Sequence, residues 1–155
     1  MMQLRSSDVT REAVLRPAVE AALTLPPDVA TVHQARAFVR DFCRSAGVAA
    51  DECDTTVLLA SEVVTNAFVH GRSDARVVVS VSVESVRVEV GDDNARQPHP
   101  ASEQDGALDG RGLRILAGLA SEWGVREEAM GKTVWFEVQR LPFDVADSQP
   151  PVGIA

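Results

Sequence analysis

Glu62, Asn66 and His70 recur every four residues in LLASEVVTNAFVHG. On a helix that spacing carries all three along nearly one face, beside an otherwise apolar stripe. A carboxylate and an amide oxygen are thereby aligned. Hard Mg²⁺ takes oxygen ligands and keeps several waters, so Asn66 can be one ligand where substrate phosphates supply others. Glu62, one turn away, can deprotonate an attacking hydroxyl or water. The same spacing also marks a solvated polar face. His70, next to Gly71 at the end of the pattern, has the ordinary role of meeting the helix dipole or capping a carbonyl, and no catalysis is assigned to it.

Asp92 follows the apolar run Val86 to Val90, where a carboxylate at a strand end can accept hydrogen bonds from a ligand. An Asx turn, which suits Asp92, Asp93 and Asn94 alike, is the competing role. Gly110, Arg111, Gly112 and Leu113 stand where a polar segment enters a helix. N–H groups there can face phosphate, and glycine permits close approach; a simple turn fits as well. Gly131, Lys132 and Thr133 open the last strand, as a hairpin turn would, with Lys132 within reach of a phosphate.

These groups depend on the elements that hold them. A strand around Ala22 to Leu25 stops at Pro26 and Pro27, and Asp28 then caps a helix to about Ala46, with Val32, Ala35, Val39 and Phe42 as its apolar stripe. Gly47 ends it, and Asp51 starts a second helix from about Glu52 to Val69, whose stripe includes Val57, Ala60, Val64, Ala67 and Phe68. From Arg76 the period becomes two. Val77, Val79, Val81 and Val83 form one strand and Val86, Val88 and Val90 the next, with a turn at Glu84 and Ser85. Residues 93 to 109 are polar and carry Pro98, Pro100 and Gly106, which reads as a long loop. A helix from about Arg111 to Ala120 follows, then strands near Trp123 to Arg126 and Thr133 to Gln139, turning at Met130 and Gly131. This order predicts an α/β fold: a two-layer sandwich with a mixed, mostly antiparallel sheet and helices on one face. Residues 1 to 18 and 142 to 155 read as loose ends around one domain, 19 to 141.

The 155 residues are 45% apolar and 25% charged, a globular composition, and no apolar run reaches a membrane span. The first residues lack the pattern of an export signal, so a cytoplasmic protein is expected. Cys43 and Cys53, the two cysteines, make neither a zinc site nor a disulfide framework and are expected to be buried and reduced. A net charge of −8 repels a phosphate backbone, and Lys and Arg form no cluster or stripe that could overcome it, so direct nucleic-acid binding is not expected. An acidic protein that binds an anionic nucleotide needs a cation and well-aimed N–H groups near the phosphates.

Taken in order, SEVVTNAFVHG, VEVGDDN, GRGL and GKTVWFEV resemble the GHKL superfamily of ATPases and kinases. LLASEVVTNAFVHG and GRGLRILAGLASEWGVREEAMGKTVWFEV are most similar to bacterial anti-sigma-factor serine/threonine kinases. The resemblance covers about residues 20 to 140 and implies a Bergerat-type ATP site. In it Glu62 is the general base, Asn66 the Mg²⁺ ligand, and Asp92 the acceptor of the adenine amino group. Gly110 and Gly112, with Arg111 and Leu113 between and beside them, border the phosphates, Thr133 supports the adenine-binding aspartate, and residues 93 to 109 form the lid. It further implies a homodimer that regulates transcription: a sigma factor binds it, and its kinase activity phosphorylates a serine or threonine of a STAS-domain anti-anti-sigma partner. One departure is plain. The family's Asp-x-Gly-x-Gly becomes Asp92, Asp93, Asn94, Ala95 and Arg96. Asn94 can take the backbone shape of the first glycine, whereas Arg96 is a poor substitute for the second. A non-catalytic module that sequesters a partner is therefore the alternative function.

Overall fold

Alternating valines build the centre of the sheet. β2 (Ala75–Val81) and β3 (Ser85–Asp92) pair antiparallel, with Val77 opposite Val90, Val79 opposite Val88 and Val81 opposite Val86. All six are buried, and each contributes roughly 1.5–3 kcal/mol by leaving water. The computed structural model describes residues 18–28, 30–68, 73–92, 110–129 and 131–141. Within them β1 (Val19–Leu25) flanks β2, β5 (Gly131–Gln139) flanks β3, and β4 (Glu122–Glu128) flanks β5. The order is β1-β2-β3-β5-β4, and every one of these pairings is antiparallel.

Among the described residues three helices cover the valine face: α1 (Ala30–Ser45), α2 (Ala50–Asn66) and α3 (Gly110–Leu119). α1 packs on β1 and β2, α2 on β3 and β5, and α3 on α2 and β4. The two-layer α/β sandwich is thus as expected. Asp28 caps α1 by accepting the Ala30 N–H at 3.1 Å, and Gly47, at φ +81°, takes the left-handed conformation that ends the hairpin's first arm. α2 is central and buries a wide face that includes Val57, Leu59, Ala60, Val63 and Val64. Cys43 and Cys53 are free and buried between α1 and α2. Burial, and then the neighbouring Cys53, pushes the Cys43 thiol up to about 12.

Three local expectations are corrected. The β2–β3 turn spans Ser82 to Glu84, because the Ser82 hydroxyl accepts the N–H groups of Glu84 and Ser85 at 3.2 and 3.1 Å. Val83 therefore leaves the alternation and lies 66% exposed. β1 begins at Val19, three residues early, since pairing with Val81 extends it. Asp51 does not cap α2: Ala49 holds that position without a side-chain bond, and Asp51 sits in the first turn, where the helix dipole favours it.

The sheet's outer face is polar. Arg87 bonds Glu89 at 2.9 Å and Glu137 at 2.8 Å while lying 4.2 Å over the Trp135 ring. Among the described residues no helix is long and apolar enough to cross a membrane. The ends 1–17 and 142–155, His70, Asn94 and the segment 93–109 lie outside the described residues.

Candidate functional site

Chain direction decides which residues can meet. Glu52, in the first turn of α2, accepts the N–H of Leu141, two residues past the end of β5. Asn66 closes α2, about 21 Å further along its axis at 1.5 Å per residue, and so lies toward the end where β5 begins at Gly131. β3 arrives at that same end: Gly91 pairs with Thr133, and Asp92 with Ala75. α3 joins β4 through Ala120 and Ser121 alone, and the Ser121 N–H donates to the Glu137 carbonyl at 2.8 Å, far from Gly131.

Asn66 is buried at 7% exposure, and Glu62 is half-buried one turn before it. The Ala67 N–H is shared between the Val63 and Val64 carbonyls as the helix widens into a π turn over Ala67 and Phe68, a feature often found beside functional groups. Gly110, Arg111, Gly112 and Leu113 form the first turn of α3, whose N–H groups have no partner within the helix and can face an anion. Lys132 is half-buried at the start of β5, opposite Glu127. Among the described residues no three His, Cys, Asp or Glu gather as a metal cage. Mg²⁺ on Asn66 would take its other oxygens from phosphate and water, which suits that ion.

Asp92, Gly131 and Thr133 line one cavity of 380 Å³, together with Gly91, Arg126 and Glu128. It opens at the end of the sheet on the face turned from the helices. Glu62 and Asn66 do not line it; they stand in the helical layer at the same end of the molecule. Gly131 is forced at its position, since a Cβ there would collide with the Asp92 main-chain oxygen and come within 2.7 Å of Asp92 Oδ1. Its φ of +155° also favours glycine.

Sequence reasoning missed the carboxylates and guanidinium beside Thr133. The Thr133 hydroxyl donates to Glu128 Oε1 at 2.5 Å. Arg126 bonds Glu89 at 3.0 Å and Glu128 at 3.4 Å. Burial pushes the Glu89 carboxyl up, but the hydrogen bonds from Arg87 and Arg126 outweigh it and hold the group below the usual carboxylate range. Alternation along WGVREE was the available signal, because it puts Arg126 and Glu128 on one face of β4.

Residues 25–138 match the family described as the histidine kinase-like ATPase domain. Among solved structures the fold is similar to the RsbU and RsbW domains of Rv1364c from Mycobacterium tuberculosis, with a TM-score of 0.62, 22% identity, and coverage of 82% of this chain and 34% of that one. This chain thus spans about a third of that one's length. It is also similar to the SiaB-SiaC complex from Pseudomonas aeruginosa, with a TM-score of 0.51, 14% identity, and coverage of 90% and 99%. At these identities the likeness is one of fold. No curated protein matches the chain.

Proposed function

This chain belongs to the histidine kinase-like ATPase domain family, and from that premise we propose that it binds ATP with Mg²⁺ and phosphorylates a serine or threonine of a STAS-domain partner. What supports this reading is the direction of α2, whose Glu52 end is bonded to Leu141 past the end of β5, so that its Asn66 end lies toward the end of the sheet where Asp92 closes β3 and Gly131 opens β5. The base lies against Asp92. The phosphates run from there toward the N–H groups of Gly110 to Leu113, with Lys132 alongside, and Asn66 offers its oxygen to Mg²⁺. That ion supplies charge neutralisation between the phosphates. Glu62 takes the proton from the attacking hydroxyl, and the rest of the catalysis is positioning. A sigma factor competes for the same domain, the working unit is a homodimer, and the setting is the cytoplasm. One of the similar structures is a complex, of SiaB with SiaC, which supports a protein partner here.

The test is incubation with labelled ATP, Mg²⁺ and a STAS-domain protein shown to bind. Label on the partner, abolished by Glu62→Ala with ATP affinity kept, supports the kinase. Binding without label transfer contradicts it.

A second reading rests on one specific feature. The box Asp92-Asp93-Asn94-Ala95-Arg96 has no glycine, and Arg96 in place of the second one disfavours a lid that closes on phosphate. Here the domain sequesters its partner without catalysis, and transfer fails while partner binding persists unchanged with or without nucleotide.

A further inference from the structure

An open sheet has two edges, and each presents N–H and C=O groups that another strand can take up. Among the described residues β4 pairs with β5 alone and β1 with β2 alone, so these two strands are the edges. β4 is guarded: Glu122, Arg126, Glu127 and Glu128 put four charges on its seven residues, and charge keeps an edge from pairing. β1 has no such guard. VEAALTL is in regular register with β2 over all seven residues, without proline. Its one charged side chain, Glu20, is drawn back over β2 by the Ser80 hydroxyl, which donates to Oε2 at 3.1 Å.

An apolar row runs beside that edge. Val19, Ala21, Leu23 and Leu25 stand opposite Val81, Val79, Val77 and Ala75 on the helical side of the sheet. Yet Val19 is 53% exposed, and Ala21 and Leu23 are only half-buried. α1 extends the row. Its Cys43 meets Cys53 of α2, and half-buried Phe38 lies about 140° around the helix from Cys43, on the flank toward β1. The strand that completes this edge must therefore bring an apolar row of its own on the helical side.

β1 itself meets that requirement. A two-fold axis at Ala22 sets β1 antiparallel to a second β1, with Val19 of one copy opposite Leu25 of the other, Ala21 opposite Leu23 and Glu20 opposite Thr24. All seven residues are then paired, apolar side chains meet apolar ones on the helical side, and the two Glu20 carboxylates do not face each other. We propose that β1 is the surface on which a second copy of this chain docks, joining two five-stranded sheets into one continuous antiparallel sheet. The inference rests on the homodimer of the proposed function, adds the strand that forms it, and needs no nucleotide.

Sedimentation equilibrium over a wide range of protein concentration tests it. The samples are the unaltered chain, Ala22→Glu, Ala22→Lys, an equimolar mixture of these two variants and, at the other edge, Glu122→Lys, with circular dichroism to confirm folding. Ala22 is exposed, so neither change at that position disturbs the core. The unaltered chain should be a dimer. Ala22→Glu sets two carboxylates face to face, each diagonal to a Glu20, and should weaken the dimer by about tenfold at low salt and by less at high salt. Ala22→Lys stands diagonal to the same Glu20 carboxylates and should dimerise better than Ala22→Glu. The mixture should form the mixed dimer in preference to either parent, an outcome that a folding defect does not produce. Glu122→Lys should change nothing. A dimer indifferent to both Ala22 variants is built elsewhere, and overturns the inference while the homodimer and nucleotide readings stand. A monomer at every concentration, whether the edge is then covered from within the chain or by another protein, overturns the inference and the homodimer together and leaves the kinase test untouched.

Discussion

Gly131 lies so close to Asp92 that one methyl group does not fit between them: a Cβ on Gly131 would strike the Asp92 carbonyl oxygen and approach Oδ1 to 2.7 Å. The start of the last strand and the carboxylate at the end of β3 are thus one unit. In sequence they are separated by the 93–109 segment, α3 and β4.

Gly131→Ala should therefore damage both stability and the site. The clash is with backbone, at a φ of +155°, so a cost on the order of 1–3 kcal/mol is expected. Gly118→Ala is the matched control. It lies in α3 with open space around a new Cβ, and should stabilise by about 0.5–1 kcal/mol. Urea unfolding of both variants reads the difference, and nucleotide affinity should fall with Gly131→Ala alone.

Gly124 makes room for Trp135 on the outer face. A Cβ on Gly124 would come within 2.9–3.0 Å of the indole, the ring over which Arg87 sits at 4.2 Å. Gly124→Ala should displace the ring and weaken its cation–π contact, worth about 0.5–1 kcal/mol at a surface of this kind. Near-ultraviolet circular dichroism should change while far-ultraviolet spectra do not.

The buried thiol sets an alkaline limit. Cys43 ionises near 9.0 when unfolded and at about 12 when folded, so the folded state holds its proton more tightly. Its contribution to stability is complete below pH 9 and is lost as pH rises from there to about 12. Cys43→Ala should flatten that part of the profile, though it costs stability at neutral pH through the cavity it leaves. Alkylation by iodoacetamide at pH 8 should track unfolding.

Glu89 works in the opposite sense. Its folded pKa is lowered, so its contribution is present above the unfolded value of 4.5 and is lost as pH falls through the folded one. Because the Arg126 partner is half exposed, Glu89→Gln should cost less than about 1 kcal/mol, and the loss should shrink in high salt.

Much of the fold was legible because valine alternates from Val77 to Val90 and because α1 and α2 carry apolar stripes at helical period. The register of β2 on β3 follows from that alternation almost without choice. β1 was legible only in part, since in VEAALTL the first residues gain strand structure from pairing with β2 and not from their own pattern. Glu62 and Asn66 could be placed on one helix face from spacing alone. Their position relative to Asp92 could not, because it depends on the direction in which α2 crosses the sheet, which the Glu52 to Leu141 bond records. The Glu128 to Thr133 bond was hidden for a related reason: it joins β4 to β5 across a hairpin whose register had to be known first.

The central claim is that a nucleotide with Mg²⁺ occupies the end of the sandwich where Asp92 and Asn66 lie. Calorimetric titration of ATP, with and without Mg²⁺, into the unaltered chain and into Asp92→Asn tests it most directly. The account predicts binding that strengthens with Mg²⁺ and falls at least tenfold in Asp92→Asn, the scale of one hydrogen bond to a charged group. Equal affinity in the two chains, or no binding of ATP by the unaltered one, would contradict it.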